Sequence, residues 1–389
     1  MAQVNLNTSE LKNFINHIVN NNRYLQQNGK IPVAVAVEGE AGIGKTSTIL
    51  EIGKDLGLNV VKLNLAQIEE IGDLTGFPMK EFEIKKDDIT KWVPENTLPL
   101  YIQNKYVPTG EKRMTHAAPE WIQGKGEGGI LILDDYTRAD SRFLQACMDL
   151  IDRQEYISWK LPKDWHIILT TNPDNGDYNV TSIDIAQKTR FITANLKFDI
   201  DCWAKWAESA NLDNRCINFL LLNPELVTKE TNARSITTFF NSISSFESFE
   251  NNLPMIQFIA EGSVGETFGT MFTMFINNKL DKMVSPKYVL ATQNWDDVKS
   301  KLVDTIGMDA NYRADIASVV ATRIINYTVH YSNTETVTDK LIERIKNLVT
   351  SNIFTNDIKY HMIKSILNGN KTKFTKLMMD TEIVKMAVK

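Results

Sequence analysis

The stretch that most constrains this chain is Val35 to Ser47, VAVEGEAGIGKTS. An apolar run, Ile31 to Glu38, enters a glycine-rich loop, and a helical pattern from Gly44 to Leu56 leaves it. Inside it, Gly39-Glu40-Ala41-Gly42-Ile43-Gly44-Lys45-Thr46 fits the spacing G-x-x-x-x-G-K-[ST], and the flanking strand and helix are the context this spacing needs. Glycines let the backbone curl so that successive N–H groups point inward, and the following helix adds the positive end of its dipole. The stretch therefore predicts a cradle for a phosphate chain.

The sequence around it alternates short β-branched runs with helical patterns, which predicts a parallel sheet covered by helices, an α/β fold of the P-loop kind. Further strands are expected at Leu58 to Leu65, Gly128 to Asp135 and Asp164 to Asn172, with a helix over SRFLQACMDLIDR between the last two. From about Asp199 strand-like runs become scarce and apolar residues recur at three- and four-residue intervals, as in DCWAKWAESA, NPELVTKE, ARSITTFFNSIS, GETFGTMFTMFINNKL and LIERIKNLVTSNIF. Four parts are expected: an N-terminal helical extension (1–29), an α/β nucleotide-binding domain (30–198), a helical lid (199–250) and a mostly helical C-terminal domain (251–389). Residues 82–119, mixed in charge and rich in aromatics and prolines, read as a surface insertion in the sheet domain.

Chemistry follows from position. Lys45 is expected to reach the β- and γ-phosphates of a bound nucleotide and Thr46 to place its hydroxyl on Mg²⁺. Gly39, Glu40, Ala41, Gly42, Ile43, Gly44 and Ser47 complete the cradle. Asp134 and Asp135 close an apolar strand at the carboxyl edge of a parallel sheet, where ligands of such sheets bind. Asp134 is expected to hold the metal, through water or through Thr46, and Asp135 to orient or deprotonate the attacking water.

Several further stretches resemble the AAA+ ATPases, in particular the branch containing the MoxR and dynein-related ATPases. APEWIQGKGEGGILILDDYTRAD is similar to that branch's segment around its acidic strand, and EEIGDLTGFP (Glu69 to Pro78) to the element after its second strand. ILTTNPDNGDYN resembles the stretch bearing a polar sensor, which implies that Asn172 helps place the water near the γ-phosphate. IAQKTRF (Ile185 to Phe191) resembles the branch's stretch ending in Arg-Phe, which implies that Arg190 is the best candidate for an arginine finger reaching a neighbouring subunit's site, with Arg138 the runner-up. NARSITTFF (Asn232 to Phe240) resembles the lid helix whose arginine touches nucleotide, here Arg234. The resemblance covers roughly residues 30 to 245. It departs from the branch at Asp135, where Glu is usual, and in the insertion carrying Trp92, Tyr101 and Tyr106.

The resemblance implies a homo-oligomeric, hexameric ring that hydrolyses ATP with Mg²⁺ and remodels a protein client. ATP is favoured because most relatives use it, although one motor of the branch uses GTP. Phe77 and Met79, in a loop after DLTG, are the candidates for pore-facing residues. Two readings of other classes stay open: a nucleic-acid motor or loader, and a nucleotide-gated scaffold that barely hydrolyses, suggested by Asp135. A net charge of −5 gives no general attraction to nucleic acid. No run of eighteen apolar residues and no signal-like N-terminus is present, so no membrane partner and a cytoplasmic location are expected. Cys147, Cys202 and Cys216 are too few and scattered for a disulfide framework, and the five histidines lack ligand spacing.

Overall fold

Strands buried on both faces have to be apolar at nearly every position. GILILD and WHIILTT are apolar at most positions, and both lie in the interior of the sheet. The computed structural model of the chain describes residues 4–277, 283–380 and 383. Expectations for the first three residues, for the Asn278 to Leu280 end of the 265–280 pattern and for most of the last nine residues lie outside the described ones. The chain divides into two units, Met1–Phe198 and Asp199–Lys389.

In the first unit, strands β1 (Asn5–Leu6), β2 (Ala34–Glu38), β3 (Asn59–Asn64), β7 (Gly129–Asp134), β10 (Trp165–Thr171) and β11 (Phe191–Leu196) form one sheet in the order β1-β11-β2-β10-β7-β3. Every pair in it is parallel. Helices α1 (Thr8–Gln27) and α2 (Lys45–Asp55) cover one face, where Leu11, Ile15, Ile49 and Ile52 pack on Val35, Val37, Ile130, Ile132 and Ile168. On the other face α5 (Ser141–Arg153) presents Phe143, Leu144, Cys147 and Leu150 to Ala36, Leu131, Leu133 and Leu169. The alternation of side chains along each strand thus builds two cores from one sheet. The expected α/β fold is present, with two strands more than the sequence suggests, β1 at one edge and β11 beside it. β1 has only two residues, and β11 mixes polar with apolar positions, so neither carries the signal of a buried strand.

The loop-rich stretch after β3 holds a short helix α3 (Ile71–Thr75) and a second sheet. Strands β4 (Pro78–Lys86), β5 (Ile89–Pro94) and β6 (Val107–His116) pair antiparallel in the order β5-β4-β6, with helix α4 (Leu98–Gln103) between β5 and β6. Met79 lies in β4, opposite Thr115, and not in a loop as expected. Phe77 does precede the strand, half exposed beside an open cavity of about 720 Å³ lined by Val61, Gly76, Pro119 and Trp121. A small hairpin, β8 (Glu155–Tyr156) and β9 (Trp159–Lys160), and the short helix α6 (Ile185–Lys188) complete this unit.

The second unit is helical: α7 (Ile200–Ser209), α8 (Asn214–Leu222), α9 (Ala233–Ser242), α10 (Leu253–Ser263), α11 (Glu266–Asn277), α12 (Pro286–Ala291), α13 (Trp295–Ile306), α14 (Ala314–Thr334), α15 (Asp339–Thr350), α16 (Asn356–Gly369) and α17 (Thr375–Met378). NPELVTKE, expected as helix, makes only a 3₁₀ turn at Pro224–Leu226. Pro224 opens that turn without an N–H to donate, and Thr228 then bonds back to Thr231 in a loop. An aromatic cluster holds α8, α9 and α11 together: Phe219 meets Phe272 edge-on at 4.9 Å, and Phe239 meets Phe272 at 5.3 Å. Arg323 of α14 is buried and bonded to the Glu208 carboxylate and to Asn214 and Asn218. No described helix is long and apolar enough to cross a membrane.

Candidate nucleotide site

The loop between β2 and α2 needs glycine at two places for physical reasons. A Cβ on Gly39 would meet the Leu196 carbonyl oxygen at 2.7 Å, and Gly44 has φ +95°, a backbone region that other residues rarely adopt. Gly44 is also the residue before α2, and no side chain caps that helix. The N-terminus of α2 carries the positive end of the helix dipole, which favours an anion.

Strand order decides what stands beside this loop. Because β10 is inserted between β2 and β7, its end brings Thr170 and Asn172 between the phosphate loop and the acidic end of β7. Lys45 is buried, and its Nζ donates to the carbonyls of Gly39 (2.6 Å) and Glu40 (2.9 Å) and to Asn172 Oδ1 (2.9 Å). Thr46 Oγ1 donates to Asp134 Oδ1 at 2.7 Å. Four expected residues therefore form two hydrogen-bonded pairs, Lys45 with Asn172 and Thr46 with Asp134, set side by side by the Lys45–Thr46 peptide bond. Ala41, Gly42 and Ile43 line the half-buried loop, while Ser47 on α2 is exposed.

Asp134 is the most heavily supported of them. Its Oδ1 also accepts the Thr170 hydroxyl at 2.7 Å, and Lys62 Nζ lies 2.9 Å from Oδ2. Burial pushes its carboxyl up, but the Thr46 and Thr170 hydroxyls and the Lys62 ammonium more than offset this and hold it below the usual carboxylate range. It is ionised at neutral pH. Asp135 sits next to it in a left-handed conformation, φ 52° and ψ 39°, with its N–H donated to Thr170 Oγ1 at 3.0 Å. Its side chain is half-buried and makes no hydrogen bond to the described residues.

The donor set fits a magnesium ion. No group of three or more His, Cys, Asp or Glu that could hold a metal exists among the described residues. Mg²⁺ is ordinarily bound by one or two protein oxygens, phosphate oxygens and several waters, which is what Thr46 and Asp134 can supply together with a nucleotide.

Among the described residues, the side chains of Arg190 and Arg138 make no hydrogen bond to Lys45, Thr46, Asp134 or Asn172. Arg190, just after α6, donates to the Ala186 carbonyl at 2.5 Å and lies 3.7 Å from Asp152. Arg138 is exposed on the 3₁₀ turn after Asp135 and makes no side-chain bond to the described residues. Arg234 belongs to the second unit, exposed in the first turn of α9, whose N-cap Asn232 accepts the Arg234 N–H.

Three residues of the site escape the sequence reading. Thr170 is one of two hydroxyls that follow the apolar Ile167 to Leu169 run and Lys62 a charge in VVKLN, so each interrupts a pattern and could have been flagged. Tyr178, whose hydroxyl bonds Glu40 and the Ala41 N–H, lies in a loop with no signal of its own.

Comparison with protein-family models gives no match, and comparison with curated proteins gives none either. Among solved structures, the chain is similar to a mutant of Thermotoga maritima RuvB, with TM-score 0.36 and 12% identity over 93% of this chain and 90% of that one. A second RuvB mutant gives 0.38 and 11%, covering 87% and 94%. The structure described as the Thermotoga maritima RuvB Holliday junction branch migration motor gives 0.30 and 12%, covering 92% and 86%. At these values the likeness adds nothing to what strand order and the phosphate loop state about the fold.

Proposed function

We propose that this chain is a Mg²⁺-dependent ATP hydrolase of the AAA+ type, similar to the MoxR branch, that works as a homo-oligomeric ring on a protein client. One observation carries the reading: two hydrogen bonds, Lys45 to Asn172 and Thr46 to Asp134, tie adjacent residues of the phosphate loop and α2 to the carboxyl ends of β10 and β7. In this reading the Gly39–Thr46 loop and the α2 N-terminus hold the phosphates, and Lys45 exchanges its carbonyl partners for phosphate oxygens. Asn172 orients water, and Asp135 accepts its proton. Thr46, and Asp134 through water, would hold the metal, which would supply positive charge beside the phosphates.

A cation from a neighbouring subunit completes the site. Arg190 would have to give up Ala186 and Asp152 to serve, whereas exposed Arg138 gives up nothing. Calorimetry with Mg²⁺-ATP tests the core of the proposal: wild type binds and Lys45→Ala does not. Turnover of Lys45→Ala subunits mixed with Arg190→Ala, and separately with Arg138→Ala, identifies the finger, because only the true pair regains activity through hybrid interfaces. No uptake of ATP or GTP by folded wild type overturns the whole reading.

A motor on nucleic acid is the second reading, favoured by the β4–β6 sheet. Lys80 and Lys112 stand over Phe82 at 5.0 and 5.6 Å, and Arg113 over Trp92 at 4.4 Å. If it holds, affinity for single-stranded DNA falls linearly on a log–log plot against salt.

A further inference from the structure

The connection from β10 to β11 is tied down at two points that the proposed reaction leaves unused. Tyr178 Oη donates to Glu40 Oε2 at 2.6 Å and accepts the Ala41 N–H at 3.1 Å. Three residues on, the Thr181 N–H donates to the Thr137 carbonyl at 2.6 Å, and Thr181 Oγ1 to the Ala139 carbonyl at 2.8 Å. The segment is thereby fastened both to the phosphate loop and to the turn that follows Asp134 and Asp135. It then runs through α6 to Arg190.

Lys45 shows which end of the phosphate chain this contact faces. A lysine in this motif meets the β- and γ-phosphates. Here its Nζ lies against the Glu40 carbonyl, on the same residue whose carboxylate Tyr178 holds. The phenol thus holds the side chain of the same residue whose carbonyl meets the lysine expected at the β- and γ-phosphates. A phenol carries one proton. Given to Glu40, that proton cannot be given to a phosphate oxygen, and a terminal phosphate arriving beside Glu40 sets two anions in competition for one donor.

Resting on the nucleotide reading above, we propose that Tyr178 is a positioning residue that senses the terminal phosphate. Its hydroxyl passes from Glu40 to the γ-phosphate of a bound triphosphate and stays on Glu40 when a diphosphate is bound. The 173–184 segment, and through it Arg190, then registers which nucleotide the loop holds. No covalent bond changes.

The test is the ratio of ADP to non-hydrolysable ATP dissociation constants, measured by calorimetry with Mg²⁺ on the full chain. Tyr178→Phe keeps the ring and lowers the preference for triphosphate about tenfold, the worth of one hydrogen bond to a charged group, while ADP affinity stays as in wild type. Glu40→Gln removes the competing anion and moves the ratio the other way. Hydrogen exchange in residues 173–184 differs between the ATP-analogue and ADP complexes of wild type and not of Tyr178→Phe. An unchanged ratio in Tyr178→Phe overturns the proposal, as does an equal loss for both nucleotides, which marks a merely structural tyrosine. Should wild type bind neither nucleotide, the site reading itself falls, an outcome distinct from either.

Discussion

Replacing Thr170 by Val tests the physical account of the site without reference to its activity. Thr170 is 1% exposed, its hydroxyl donates to Asp134 at 2.7 Å, and it accepts the Asp135 N–H at 3.0 Å. Valine has nearly the same shape and a higher strand preference, so neither packing nor propensity accounts for any loss. Removing the hydroxyl forfeits a hydrogen bond to a charged group, about 1.5–3 kcal/mol, and leaves a backbone N–H unpaired, about 1–3 kcal/mol. Asp134 keeps Thr46 and Lys62, which softens the loss, and the net expectation is about 3 kcal/mol. For a unit of this size that is a fall in Tm of roughly 6–12 °C.

Because the chain has two units, one denaturation curve does not isolate the effect. Hydrogen exchange of peptides from β7 and β10 reads the first unit directly. Thr170→Ser is the control: it keeps the hydroxyl, loses one buried methyl and costs about 1 kcal/mol. A Thr170→Val protein within about 0.5 kcal/mol of wild type, the ordinary range for a featureless position, refutes the reasoning. A serine variant worse than the valine variant also refutes it, since packing would then outweigh the hydroxyl.

Other perturbations follow from the same contacts. Lys62→Met removes the ammonium beside Asp134 Oδ2 and lowers the Mg²⁺ concentration that half-saturates nucleotide binding by a few-fold; the effect is modest because Lys62 is exposed and screened. The folded Asp134 carboxyl lies below its unfolded value, so its ionisation stabilises the fold above that value, and the contribution is lost as pH falls through the folded one. The stability difference between wild type and Asp134→Asn, followed by chemical denaturation, is accordingly flat from about pH 8 to about pH 5 and shrinks only below about pH 4. In the second unit, Arg323→Met leaves the Glu208 carboxylate buried without its cation and costs about 3–5 kcal/mol, measured as exchange in α7 and α14, and adding Glu208→Gln restores much of it.

Local chemistry was legible in the sequence wherever a rule acts over a few residues. The Gly39–Thr46 spacing states its own backbone geometry, GILILD and WHIILTT state burial on both faces, and apolar spacing states the helices after Asp199. Two strands were not legible, because β1 is only two residues long and β11 mixes polar with apolar positions, so neither carries a pattern of its own. Nor was the second sheet, whose strands are held by antiparallel pairing across a surface stretch that composition describes only as irregular. What tertiary structure alone decided is who stands next to whom. Inserting β10 between β2 and β7 sets Asn172 on Lys45 and Thr170 on Asp134 across separations of 127 and 36 residues, and folding the next loop back sets Tyr178 on Glu40 across 138. Hydrogen bonds act over three ångströms, and no periodicity along the chain records which distant residue will close that gap.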